Sequence, residues 1–378
     1  MVKPLEGLLV VSLDQAVAAP LCARKLADAG ARVIKLERPE GDFARHYDYI
    51  VHGESAHFVW LNRGKESVTV DLTLQQDKTL FERLLAKADV LVQNLKPGAL
   101  AKLGFPVEAL VARYPRLICC SISGYGERGP HARRKAYDLL VQAESGLSSI
   151  TGGPEAPARV GVSVTDIATG MNAYEAILEA LLRRARTGKG GAIEVSLFGS
   201  MAEWMTIPVL NTVYGRPPKR LGFSHPTLAP YGVFPTRDGQ PILISIQNDR
   251  EWAVLAREVL GRQELASDPR MATSVERLRN RAAVDAAVAE NFVTRQVDEL
   301  ANALDRAAIA YGRVSEVADL LHHPHFRTVM VDTPTGPAEI PADAANHVGD
   351  EPVYGPVPAL GEHDARVRAE FLGYDETE

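Results

Sequence analysis

Hydrophobic and polar positions follow two rhythms along the first 200 residues. Apolar runs of strand length occur at Leu8 to Leu13, Arg32 to Leu36, Ser67 to Leu72, Asp89 to Asn94 and Leu117 to Ser123. Between them the spacing switches to that of helices. Pro20 opens a helix over Leu21 to Ala29 that Gly30 terminates, and Gln75 to Lys87 forms another. A longer helix is marked by Ala173, Ala176, Ile177, Ala180 and Leu181 at i, i+3, i+4, i+7 and i+8. It runs into Arg186-Thr-Gly-Lys-Gly-Gly and a strand at Ala192 to Leu197. Strands alternating with helices of this length predict an α/β fold with a parallel sheet and crossover helices. Ligands of such sheets collect at the carboxyl ends of the strands.

The rhythm breaks after about residue 200. Residues 210–235 are rich in Pro, Gly, Tyr and Arg and read as a linker or long loop. A strand follows at Gln240 to Ile246, then helices from about Glu251, Val275 and Arg295, a pattern that predicts a smaller α+β domain. From Gly336 the chain is rich in Pro, Gly and Val and ends in a short helix, Asp364 to Phe371. The domain expectation is a large unit over 1–200 completed by 330–378, a linker at 201–224 and a small domain at 225–325.

Composition narrows the function classes. A chain of 378 residues with a formal net charge of −6 and interleaved acids and bases presents no basic face for nucleic acid. Of the three cysteines, Cys119 and Cys120 are adjacent inside an apolar strand, so Cys22, Cys119 and Cys120 read as core residues and not as a disulfide or metal set. No signal-peptide pattern and no membrane-length apolar run is evident, so the expectation is a cytoplasmic protein that binds no membrane.

The chemistry is not that of a dinucleotide enzyme. The turn after the first strand, Asp14-Gln-Ala-Val-Ala-Ala-Pro20, has no glycine, which excludes the usual nicotinamide or flavin fingerprint, and there is no Walker-type loop. Attention falls instead on Gly161 to Gly170, GVSVTDIATG, where a loop feeds the long helix and places Asp166 at its entry. An acidic residue there either caps the helix or meets a ligand. Position alone leaves both open.

Several anchors decide between them by resemblance. Pro4-Leu-Glu-Gly7, Ala27-Asp-Ala-Gly-Ala31, Val33-Ile-Lys-Leu-Glu-Arg-Pro39, Ala88-Asp-Val-Leu-Val-Gln-Asn94, Pro97-Gly-Ala-Leu100, Tyr137-Asp138, Arg186-Thr-Gly-Lys189, His225-Pro226, Pro230-Tyr231, Asp238-Gly239, Pro324-His325 and Gly361-Glu-His363 occur in this order over nearly the whole chain. In that order the chain resembles the class III (family III) coenzyme A transferases, the group of formyl-CoA and carnitine CoA-transferases that also includes α-methylacyl-CoA racemase. The resemblance implies a Rossmann-like large domain, a smaller α+β domain and an interlocked homodimer. It implies Asp166 as the nucleophile and a CoA thioester as substrate, with no tightly bound cofactor. For CoA it carries over Val17, Ala18, Arg38, Leu72, Thr73, Asn94, Leu95, Lys96, Lys102 and Arg134, Lys135, Ala136, Tyr137. Arg38, Lys102 and Lys135 are suited to charge-assisted bonds with CoA phosphates.

Two departures stand out. Val17 replaces a glutamine that family members often carry near the reacting centre, with Gln15 two residues away. Gly222-Phe-Ser-His-Pro226 stands where formyl-CoA transferase has a glycine-rich loop. The run from Asp14 to Pro20 with Gly41-Asp-Phe-Ala-Arg-His-Tyr-Asp48 is most like transferases of small C4–C5 dicarboxylates such as itaconate, mesaconate, citramalate or malate, with succinyl-CoA as donor. Gln15, Arg45, His46, His57 and His225 are the candidates for holding that acid. The alternative, racemase chemistry, needs bases where Tyr137 and Asn248 stand, and neither is a suitable base. A non-catalytic CoA-binding role would leave Asp166 unexplained. His322, His323 and His325 suggest a metal hydrolase only weakly, with a proline among them and no flanking carboxylates, so no metal is expected.

Overall fold

Six parallel strands organise the first half of the chain: β1 (Leu9–Leu13), β2 (Arg32–Glu37), β3 (Lys65–Thr69), β4 (Val90–Gln93), β5 (Ile118–Ser123) and β6 (Gly191–Ser196). They pair in the order β3-β2-β1-β4-β5-β6, with Val10 level with Val33 on one side and Val90 on the other. The chain leaves β1 toward β2, and only later returns to add β4 on β1's other side. Open α/β sheets bind ligands at the carboxyl ends of their strands near such a reversal. The computed structural model describes residues 3–345, 349 and 353–373.

Apolar strands become buried on both faces because helices cover both. On one face Val10, Val33, Val90, Ile118 and Cys120 pack with the helix Ala18–Asp28 and the long helix Val164–Thr187. On the other Val11, Ile34, Leu91 and Cys119 meet the helix Gln75–Lys87 and the C-terminal helix Asp364–Leu372 through Val367 and Phe371. Asp364 accepts a hydrogen bond from the Thr69 backbone N–H at 2.6 Å and one from its hydroxyl. The two helices of the first face approach closely. A Cβ built on Gly170 would lie 2.6 Å from the Ala18 carbonyl oxygen, so only glycine fits that crossing.

The first helix begins at Ala18, three residues before the predicted start, because Leu21 N already donates to Val17 O at 2.8 Å. Pro20 therefore sits in the first turn, where its missing N–H leaves no helical bond unmade. β3 starts and ends earlier than its apolar run suggests, since pairing with β2 covers Lys65 to Thr69 and a turn closes at Leu74 N to Asp71 O. An antiparallel hairpin, Thr328–Thr333 with Gly336–Pro341, was not evident from the pattern; Val331 and Ala338 pack with Phe58, Val59 and Val357.

Two compact units result, one of Met1–Leu147, Arg159–Ile207 and Arg327–Glu378, the other of Ser148–Ala158 and Pro208–Phe326. The second is built on an antiparallel sheet of Tyr231–Phe234, Ile242–Ser245 and Tyr311–Arg313 around Trp252, Phe292, Leu300 and Leu304. Within 201–224 lies the helix Thr206–Tyr214, after which the backbone is irregular. No helix among the described residues is long and apolar enough to cross a membrane.

Candidate active site

The exit of β1 is held by buried charges. Asp14, Lys35, Lys65 and Asp42 have side chains with little or no exposure. Lys35 Nζ donates to the Asp14 carboxylate, to Asp14 O at 2.8 Å and to Asp42 at 3.0 Å. Lys65 Nζ donates to Asp14 at 3.0 Å, Pro20 O at 3.1 Å and Asn62 Oδ1 at 2.9 Å. Burial pushes the Asp14 carboxyl up, but the two ammonium groups outweigh it and hold the group down at about 2. Burial pulls Lys65 down to about 8, with Lys35 adding to it and Asp14 opposing. Sequence reasoning passed over this group. Its signal was available: Lys35 interrupts the apolar run Val33-Ile-Lys-Leu36 at a position facing inward.

Beside this turn lies a cavity of about 320 Å³ at the carboxyl ends of β1, β2 and β3. Of the CoA candidates, Arg38, Leu72, Thr73 and Leu95 line it, together with Gln15, Glu37, Glu40 and Asp71. Arg38 and Thr73 are exposed and Leu72 is buried. Much of the acidity of this wall is already matched. Glu37 is clasped by Arg45 at 2.7 and 2.8 Å, Asp14 and Asp42 by the lysines, and Asp71 accepts from Thr73. Asn94 binds both backbone groups of Gln15, at 2.9 and 2.8 Å, tying β4 to the β1 exit. Lys96 and Lys102 are exposed near the mouth of the sheet and do not line the cavity. Val17 and Ala18 are buried at the start of the first helix.

Asp166 stands in the first turn of Val164–Thr187, half-buried. It does not cap its own helix. That task falls to Asp138, whose Oδ1 accepts from Thr165 N at 2.7 Å and Asp166 N at 3.3 Å. Buried Gln142 steadies Asp138 by donating to Oδ2 at 2.7 Å and itself accepts from Val160 N. The Asp166 carboxylate accepts no hydrogen bond from any described residue. Burial, and secondarily the Asp138 charge, push its pKa up from 3.8 to about 7, a shift equivalent to about 4 kcal/mol. The positive end of the helix opposes this by about 0.3–1 kcal/mol, so burial wins. Ile167, the next residue, packs against the cluster of Val17, Leu21 and Leu61, which ties the start of this helix to the start of Ala18–Asp28. Tyr47, a residue sequence reasoning missed, is about half exposed; its partial burial and the charges of Asp42 and Asp166 raise it to about 12, so it keeps its proton.

The chain as a whole has counterparts among known proteins. The model of CoA-transferase family III matches residues 5–364. The chain belongs to CoA-transferase family III. It is 36% identical to the acetyl-CoA:oxalate CoA-transferase of Acetobacter aceti over 97% of this chain and 96% of that one. It is 35% identical to the mouse (Mus musculus) succinyl-CoA:glutarate CoA-transferase over 99% of this chain and 88% of that one. A solved CaiB/BaiF family protein from Brucella suis superposes with a TM-score of 0.85 at 36% identity, covering 98% of this chain and all of that one. The protein is therefore a CoA-transferase, an enzyme whose substrates are CoA thioesters.

The remaining candidates of this CoA-transferase lie in several places. Arg134 is exposed and paired with Glu144 at 2.6 Å, Lys135 and Tyr137 are exposed, and Ala136 packs against the core. Arg45 is engaged by Glu37, rests over Phe58 at 3.7 Å and donates to Pro358 O, so its charge is matched within the fold. His46 pairs with the Tyr49 hydroxyl at 3.2 Å. His57 lies 3.6 Å from Asp48 with its ring edge-on to Tyr47. His225, in the second unit, stacks on Tyr231 at 4.9 Å. Asn248, also there, caps its own helix by accepting from Glu251 N. His323 and His325 lie 5.7 Å apart by ring centres. Among the described residues no group of three or more His, Cys, Asp or Glu converges as a metal site.

Proposed function

We propose that this CoA-transferase moves CoA from succinyl-CoA to a small dicarboxylic acid through covalent intermediates on Asp166. The observation that carries the reading is the state of that carboxylate: shielded, without a hydrogen-bond donor, and poised near neutrality. A carboxylate relieved of its hydrogen bonds is a better nucleophile than a hydrated one, and covalent catalysis splits one difficult exchange into easier steps. Asp166 attacks the thioester carbonyl and CoA leaves as the thiolate, giving a mixed anhydride. The thiolate attacks the aspartyl carbonyl and releases the donor acid, leaving an aspartyl-CoA thioester. The acceptor carboxylate attacks that thioester and expels the thiolate again. The thiolate then takes the acceptor's acyl group and frees Asp166. No step changes the number of high-energy acyl bonds. Tyr47, protonated beside Asp166, is placed in this scheme as a donor to the developing oxyanion.

CoA is assigned to the cavity lined by Arg38, Leu72, Thr73 and Leu95, with Arg38 bonding a phosphate and Lys96, Lys102, Arg134, Lys135, Ala136 and Tyr137 along its course. Asn94 supports the cavity from behind by bracing the Gln15 backbone, and Val17 and Ala18 support it from the start of the first helix. A C4–C5 acid such as itaconate, mesaconate, citramalate or malate is favoured by relatives named for glutarate, D-citramalate and mesaconate. Arg45 is committed to Glu37, which leaves Gln15, His46, His57 and His225 for the distal carboxylate. α-Proton exchange is disfavoured because exposed Tyr137 and helix-capping Asn248 offer no second base. The same reading assigns an interlocked homodimer, supported by Ile207, Val213, Tyr214 and Trp204, each more than half exposed. It assigns the cytoplasm, which three free buried cysteines fit.

A mass-spectrometric screen of acceptor acids against succinyl-CoA tests the substrate class, with Asp166→Ala as control. Formation of itaconyl-, mesaconyl-, citramalyl- or malyl-CoA by the wild type alone is the expected result. Equal efficiency with a branched monocarboxylate such as isovalerate would remove the dicarboxylate claim and leave the reaction class standing.

A further inference from the structure

We propose that Lys65 and Lys35, with Asp14 and Asp42, form a positioning device that fixes the exit of β1 against the helix bearing Asp166. The proposal rests on the reading of Asp166 as nucleophile. It concerns Lys65 and Lys35, which no part of that reading uses; Asp14 and Asp42 line the cavity assigned to CoA.

Both ammonium groups are saturated. Lys35 has three acceptors and Lys65 has three, so every N–H of each is used. Well-packed apolar residues of similar volume stabilise a core as well as such buried ion groups do, or better, so stability alone does not account for four buried charges. What distinguishes this group is where its partners lie. Asp14 carboxylate, Asp14 O and Pro20 O are three of them, and Asp42 Oδ1 accepts from Ala16 N at 3.2 Å. All belong to the seven residues from Asp14 to Pro20 or bind them. Asn94 clamps Gln15 from the other side.

Between these clamps Ala16 adopts φ +64°, the left-handed region that an L-alanine avoids. Such a conformation persists where its surroundings over-determine it, and clusters near functional sites. The strained residue leads straight to the chemistry. Ala16 and Ile167 both pack against the cluster of Val17, Leu21 and Leu61, and Ala18 O is the atom that forbids a Cβ on Gly170, one turn beyond Asp166. Relaxation of the turn therefore moves the Asp166 helix or opens the gap beside it. Lys65 and Lys35 are fully buried and line no part of the cavity, so they act through the turn and touch no substrate.

The test is Lys65→Met, which keeps length and removes the charge. We expect kcat to fall about tenfold or more, and KM for the acyl-CoA to stay within about threefold, because misplacement by a fraction of an ångström costs rate more than binding. The single-turnover rate of Asp166 acylation should fall in step with kcat. Arg63→Met is the control: Arg63 is an equally buried cation, paired with Asp28 and Asp343, and its loss should lower thermal stability but leave kcat within about twofold. If Lys65→Met does not fold, Asn62→Ala decides. It removes one Lys65 acceptor outside the cavity, keeps every charge, and should lower kcat about threefold with KM unchanged. Wild-type kcat in the folded variant overturns the proposal, as does an equal loss of kcat in Arg63→Met. Asp166→Asn separates the two readings. If it stays active, the nucleophile reading fails; if it is inactive while Lys65→Met turns over normally, only the positioning role fails.

Discussion

Replacing Asp166 with asparagine should stabilise the ligand-free enzyme, and do so more at high pH than at low. The carboxyl has a folded pKa of about 7 against 3.8 for the model group. The folded chain thus holds a proton that the unfolded chain releases over that interval. The raised pKa favours folding fully below about pH 4, and the contribution is lost as pH rises through about 7. Asparagine keeps the shape and never ionises, and the native carboxylate has no hydrogen bond to lose. With these two pKa values the variant gains roughly 1.5 kcal/mol at pH 5 and about 4 kcal/mol at pH 8. The helix dipole trims the second figure by up to about 1 kcal/mol. Urea unfolding at both pH values, followed by circular dichroism, measures the difference directly. A gain that does not change with pH, or a variant less stable at both, refutes the argument and makes Asp166 a structural residue. The same pKa predicts that kcat/KM for the acyl-CoA rises with pH through about 7, since only the ionised form attacks.

Other outcomes follow from particular contacts. Arg45→Met should lower stability by about 3–5 kcal/mol, because it strands buried Glu37, and should not raise the acceptor's KM selectively; a KM effect without a melting shift would return Arg45 to the substrate. Gly170→Ala should cost about 1–3 kcal/mol by overpacking and depress kcat, since the new Cβ meets the Ala18 carbonyl; unchanged melting and turnover would contradict the close crossing. In deuterated water a 2-methylacyl-CoA should gain little label at C2, and rapid incorporation would restore racemase chemistry.

The strands and the long helix could be read from apolar runs and from the spacing of Ala173, Ile177 and Ala180 because those signals are local. Strand order could not. Whether β4 adds beside β1 or elsewhere depends on contacts between residues some 80 positions apart, which no local pattern encodes. The entry position of Asp166 was legible, but not what surrounds it. Asp138 caps the helix from 27 residues away, and the Asp166 charge is felt by Tyr47 in the loop after β2. Arg45 looked available as a free cation because its partner, Glu37, ends an apolar strand where a buried carboxylate is not anticipated. Lys35 was visible as a charge in a strand and Lys65 lay outside the strand read at Ser67 to Leu72; their meaning emerged only when both were found on Asp14.

Covalent capture tests the central claim most directly. Enzyme incubated with succinyl-CoA and quenched with hydroxylamine or borohydride should yield one modified peptide, altered at Asp166 alone. Asp166→Asn should yield none and transfer no CoA. Modification at another residue, or wild-type transfer by Asp166→Asn, would contradict the mechanism.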